Sequence, residues 1–180
     1  MTSPQPSSMS PYKRGAVHGF GFGLFMSVIF IAWVLMPEFP WLSFLIFPLM
    51  LYVPVYTYRT MRSTQRAEYA TTTLSSLWMQ GIMMTGCGAL ICSLVMVIWF
   101  KWIDPDFMAR QLQTFIDIYN QTKEPALAES AKVAQLLIDK QAIPSASTFA
   151  QAFWLMSVSF GSILSLLIAT LARIFPPRKL

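Results

Sequence analysis

Four stretches of the chain carry no charged side chain: Gly15–Pro37, Phe39–Tyr58, Tyr69–Phe100 and Gln141–Ala172. Every Lys, Arg, Asp and Glu lies between or outside them. At about 1.5 Å of rise per residue, each stretch is long enough as a helix to cross a hydrocarbon layer about 30 Å thick. Lipid offers the backbone no hydrogen-bond partners, so apolar spans of this length must satisfy themselves as helices. The pattern therefore predicts an all-α, polytopic membrane protein with four transmembrane helices, at about residues 15–36, 41–58, 70–102 and 146–174. A soluble helical core is a poor alternative, because its helices would need a polar face that these runs lack.

Punctuation between the spans refines the picture. Pro37 and Pro40 frame a short turn, so the first two spans form a tight helical hairpin. Pro48 and Pro54 each remove a backbone donor within the second span and crowd the preceding turn, which predicts a kinked helix. The connection of about 104–144 has a periodicity of its own. Asp104-Pro105 reads as an N-cap followed by proline at the first helical position. Met108, Leu112, Phe115, Ile116 and Tyr119 follow at helical spacing. Pro125 starts a second helix that places Leu127, Ala131, Ala134, Leu137 and Ile138 on one side. Pro144 breaks it, and Ser145 or Ser147 can cap the last span. Two short amphipathic helices are expected, lying on the outer membrane surface or on each other. Their stripe is either packed locally or is a partner-docking face made by Met108, Leu112, Phe115 and Ile116. The Ser- and Pro-rich segment 1–11 reads as a disordered tail, and 12–180 as one membrane domain. The first span is about twice the length of a signal-peptide core, and no Ala-x-Ala site follows it.

The net charge of +5 on 180 residues would fit a nucleic-acid binder only if the cations shared a surface, and they do not. They sort by compartment. Lys13, Arg14, Arg59, Arg62, Arg66, Arg173, Arg178 and Lys179 flank one side of the expected bundle, with Glu68 as the acid among them. The other side holds Glu38 and a loop, Lys101 to Lys140, with mixed charge. Segments rich in Lys and Arg stay in the cytoplasm, so both termini are expected there and the long loop outside. Aromatic placement agrees: Trp33, Trp41, Trp99, Trp102 and Trp154 fall near the outer interface, and Trp78, Tyr12, Tyr56, Tyr58 and Tyr69 near the inner one.

Candidate chemistry is sparse. Gly15, Gly19, Gly23 and Ser27 repeat every four residues, a glycine-zipper pattern that lets a second helix approach closely. Ser157, Gly161 and Ser165 repeat the idea in the last span, and Thr85, Gly88, Ala89 and Cys92 in the third. This implies close packing within the chain or self-association. His18 is the single histidine, about one turn inside the first span, with no acid in any span to pair with it; bonding to a neighbouring helix, for instance to Gln80, is the simpler expectation. Gln80, preceded by Thr71, Thr72 and Thr73, is the notable polar residue of span three. Cys87 and Cys92, five apart on one helix, point to different sides and lack His or carboxylate neighbours, which suits free thiols rather than a metal site. No paired carboxylates, activated nucleophile or phosphate loop is present, so no catalytic, metal or cofactor residue is assigned.

The run Trp99-Phe100-Lys101-Trp102-Ile103-Asp104-Pro105-Asp106-Phe107 resembles bacterial membrane proteins of the family called domain of unknown function 4199. Their third span similarly ends in Ile-Asp-Pro-x-Phe, followed by a polar helical loop and a last span ending in basic residues, as at Arg173 to Lys179. The resemblance covers about residues 12–179 and implies an inner-membrane location in a Gram-negative cell. It carries no catalytic residues. It also implies an association with a family-2 glycosyltransferase, beside which relatives are encoded. The expectation is a non-enzymatic accessory or scaffold subunit of a membrane complex, in contact with lipid and with another membrane protein or its own copies. The alternative is a small oligomeric transporter or channel, for which His18, Gln80 and scattered hydroxyls would have to supply a polar path.

Overall fold

A computed structural model describes residues 10–67, 72–140 and 142–174, and all regular structure among them is helical. Four helices are long and apolar enough to cross a membrane. They are α1 (Pro11–Leu35), α2 (Leu42–Ala67), α3 (Leu74–Ile98, continued by a π turn through Ile103) and α6 (Ala146–Ile174). Two shorter helices, α4 (Phe107–Thr122) and α5 (Ala128–Asp139), connect α3 to α6. The chain is a multi-pass membrane protein.

Helix ends differ from the charge-free stretches where capping, rather than hydropathy, decides them. α1 begins at Pro11, because the Ser10 hydroxyl accepts the Lys13 N–H at 3.4 Å and proline suits the first turn. Residues 10 and 11 therefore belong to the cap and the helix rather than to the expected tail; the rest of that tail, 1–9, lies outside the described residues. α2 does not stop at Tyr58 but continues to Ala67. The added segment contains no Gly or Pro. Its hydroxyls fold back on the helix, Thr60 to the Tyr56 carbonyl at 2.9 Å and Ser63 to that of Thr60 at 2.8 Å. Charge ends the lipid-compatible sequence there, not the helix. α3 starts at Leu74, with the Thr73 hydroxyl accepting the Ser76 N–H at 3.2 Å. Tyr69, Thr71, Arg178 and Lys179 lie outside the described residues.

The chain divides into two compact units, residues 1–93 with 153–180, and 94–152. In the first, α3 is the central helix. One of its sides meets α1 and the other meets α6, while α2 lies against α1 through an aromatic cluster. Phe22 and Tyr56 have ring centroids 5.6 Å apart, and Phe25 and Tyr52 5.7 Å. Met61 of α2, Leu77 of α3, and Ile168 and Ala169 of α6 form a buried core where these three helices converge.

In the second unit, Phe100 of the π turn stacks on Phe107 at 5.5 Å and meets Phe149 edge-on at 5.6 Å. The Asp104 N–H reaches back five residues to the Trp99 carbonyl at 2.9 Å. This moves the expected N-cap: Asp106 holds that position without a side-chain bond, and Asp104 instead accepts from the Arg110 guanidinium. α4 ends at Lys123 in the left-handed region, φ 49°. α4 packs on α5, burying Phe107 and Ile116 on one and Ala131 and Ala134 on the other. Ser145 caps α6 by accepting the Thr148 N–H at 3.2 Å.

Candidate functional site

The glycines of α1 form a seam against α3. A β-carbon on Gly15 would lie 2.7 Å from the Gln80 carbonyl oxygen, one on Gly19 2.9 Å from that of Met84, and one on Gly23 2.8 Å from that of Gly88. No real β-carbon tolerates such approaches, so the two backbones are in direct contact over about two turns. Gly88 completes the seam from the α3 side, where a β-carbon would meet Phe22 at 2.6 Å. Ser27 is buried and donates to the Gly23 carbonyl at 2.8 Å, which satisfies its hydroxyl within its own helix.

The opposite side of α3 is joined to α6 by a second seam. Gly161 faces the Thr85 side chain, and Gly81 faces Ser165 and Met61. Two indoles cross the same seam. Trp78 Nε1–H donates to the Ser162 carbonyl and Trp154 Nε1–H to the Gly86 carbonyl, each at 3.1 Å. Sequence reading placed both tryptophans in interfacial belts, and nothing in their spacing showed these bonds. Ser157, which shares the repeat with Gly161 and Ser165, lines a groove described below, as do Gly161 and Thr85 themselves.

The candidate polar residues do not meet as expected. Gln80 is 1 % exposed, and its Nε2 donates to the Thr64 hydroxyl of α2 at 3.0 Å rather than pairing with His18. Gln80 Oε1, Gln65 Oε1 and Ser165 Oγ are buried without a hydrogen-bond partner among the described residues. His18 is half-buried on α1. Cys92 is buried and Cys87 half-buried, the latter against Gly19.

The candidate docking stripe is largely used within its own unit. Ile116 is 6 % exposed, and Met108, Leu112 and Phe115 are half-buried. Ile118 on α4, with Val133 and Leu136 on α5, are the large apolar side chains of these two helices that remain exposed.

Between α2 and α6 the first unit opens a lateral groove of about 580 Å³. Buried Phe22 of α1, Thr57 of α2 and Ala89 of α3 form its floor. Along α6 it is bordered from Phe153 to Leu167, with the exposed Phe160 and Leu167 at its rim. No charged residue lines it; Thr57, Thr85 and Ser157 supply its polar atoms. Leu164, one of its lining residues, packs with Tyr58 against the Met61–Ile168 core. On α2, Arg62 stacks over Tyr58 at 5.6 Å and donates from Nη1 to the Tyr58 hydroxyl at 2.7 Å. Its Nε is buried and has no hydrogen-bond partner among the described residues.

The family described as "Protein of unknown function (DUF4199)" matches residues 18–173, nearly the whole of the four-helix arrangement. The chain belongs to this family. No curated protein and no solved structure matches it. Within this DUF4199 chain the match runs from His18, about two turns into α1, to Arg173 near the end of α6, so the α3–α6 seam, the α2–α6 groove and the first seam apart from Gly15 fall inside the family's boundaries.

Proposed function

We propose that this protein is a non-enzymatic accessory or scaffold subunit of a membrane complex, with both termini in the cytoplasm, α4 and α5 outside, and the inner membrane of a bacterium as its location. One observation carries the reading. α4 and α5 are too short to cross a bilayer, yet they keep Ile118, Val133 and Leu136 exposed after burying Ile116, Ala131 and Ala134. Val133 and Leu136, three apart, share one face of α5, which suits an apolar contact with a partner. The partner class proposed is a membrane enzyme that handles lipid or glycan, such as a family-2 glycosyltransferase.

The test is co-purification from native membranes in mild detergent, read by mass spectrometry. A stoichiometric membrane partner is expected. It should be lost from Val133→Glu/Leu136→Glu, because burying either charge in an apolar contact is costly. Recovery of the protein without any partner, or full retention of the partner by a folded double variant, would overturn the reading.

A further inference from the structure

α2 is the least buried of the four spanning helices. One of its sides changes from apolar to cationic without a break. At about 100° per residue, Arg59, Arg62 and Arg66 fall within about 60° of one another around the helix, and Leu51 and Val55 lie on the same side one to two turns before them. Leu51, Val55, Arg59 and Arg66 are exposed, and Arg62 is half-buried. Thr57, Met61 and Thr64, on the opposite side of the helix, are buried.

The direction of the guanidinium groups is a second observation. An arginine near the end of a spanning helix ordinarily stretches past the apolar run toward water. Two of these turn the other way. Arg59 Nη1 donates to the Tyr52 hydroxyl, seven residues back, at 3.4 Å, and Arg62 Nη1 to the Tyr58 hydroxyl, four back, at 2.7 Å. Both charges are thereby drawn toward the charge-free run 39–58 rather than away from it. A tyrosine hydroxyl orients a guanidinium but does not neutralise it, and an uncompensated charge beside an apolar helix side is costly. None of the three arginines pairs with an acid among the described residues, where Arg110 pairs with Asp104 in the other unit. Glu68, the acid nearest to them in sequence, lies outside the described residues.

We propose that this side of α2 binds the phosphate of an anionic membrane lipid, with Arg59 and Arg62 as its donors, Arg66 beside them, and the acyl chains along Val55 and Leu51. Guanidinium groups suit a phosphate because they offer several planar donors and hold their charge. The bonds to Tyr52 and Tyr58 fix both side chains in advance, so less freedom is lost when the phosphate arrives. A lipid rather than a free anion is favoured because the arginines are turned toward apolar surface, where acyl chains lie. The site is independent of whether a protein partner binds α4 and α5.

The test is native mass spectrometry of the full chain in detergent, titrated with phosphatidylglycerol and with phosphatidylcholine of the same acyl composition. Phosphatidylglycerol is expected to bind more tightly. Arg59→Gln and Arg62→Gln should each weaken it about fivefold, with little change for phosphatidylcholine. Lys140→Gln, in the other unit, should leave both lipids unchanged. These arginines sit at the surface of α2, and melting in the same detergent checks that each variant is folded. In parallel, the wild-type chain is photolabelled with phosphatidylglycerol carrying a diazirine in its acyl chain. Label at Leu51 or Val55 supports the proposal, and label confined to other helices, for instance at Phe20 of α1 or Phe160 of α6, overturns it. Equal binding of the two lipids, or phosphatidylglycerol binding that ignores both arginine changes, also overturns it. So does displacement of phosphatidylglycerol by inorganic phosphate with the same arginine dependence, since the site would then take a free anion.

Discussion

At Gly161 a single added carbon would strike the Thr85 side chain, and at Gly23 it would strike the backbone of α3. Gly86, only two residues from Gly88, differs: its nearest neighbour would be Val158 at 3.8 Å, an ordinary contact. Gly23→Ala and Gly161→Ala are therefore expected to lower stability by about 1–3 kcal/mol through overpacking. Gly86→Ala should be neutral, or stabilising by about 0.5–1 kcal/mol through the lost freedom of the unfolded chain. Thermal melting of the three variants in one detergent checks this, and equal effects would contradict the assigned seams. The spacing of Gly15, Gly19 and Gly23 made the first seam legible in the sequence. Its partner surface on α3 was not, because which face of a uniformly apolar helix turns inward depends on its neighbours. The groove shows a limit: Ser157, Gly161 and Thr85 all line it, and their repeats gave no sign of it. Gln80 shows another. Thr64, its partner, lies in the stretch that charge assigned to a loop, and only the continued α2 brings it alongside.

For whole elements, hydropathy reports where lipid-compatible sequence ends, while hydrogen bonding reports where a helix ends. The two disagree most on α2, whose last turns carry Arg59, Arg62 and Arg66 with helical backbone throughout. They agree at the hairpin after α1, where Pro37 and Pro40 interrupt helix and apolar run together. The α4–α5 pair was legible as two helices from its periodicity and prolines. The use of its stripe was not, since a half-apolar face looks the same whether a sister helix or a partner covers it. Ile116 is buried, so Leu112→Glu/Ile116→Glu should unfold this pair. Trypsin is then expected to cut at Arg110, Lys123 or Lys132 at least tenfold faster than in the wild type, with the melting of α1, α2 and α6 nearly unchanged. Unaltered cleavage would mean that the stripe is not the packing face of α4.

For the whole molecule, the proposed orientation follows from the basic residues at the ends of α2 and α6 and the mixed charge of the connection through α4 and α5. In a background with Cys87→Ser and Cys92→Ser, Gln121→Cys is expected to react with a membrane-impermeant thiol reagent added to intact spheroplasts, and Arg66→Cys to be protected. The reverse pattern would invert the topology. Composition and pattern alone determined that this is an all-helical chain with four membrane spans, because the cost of an unsatisfied backbone in lipid leaves no other local solution. The short motif after α3 and the order of spans were enough to indicate the family. The tertiary structure decided the rest: that α3 is the central helix, that Trp78 and Trp154 bond across to or from α6, and that α2 and α6 part to leave a groove. Those features depend on which faces meet between segments far apart in the chain, 84 residues in the case of Trp78 and Ser162. In apolar helices nearly every face is equally fit for lipid, so the choice lies in the fit of shapes rather than in any local pattern.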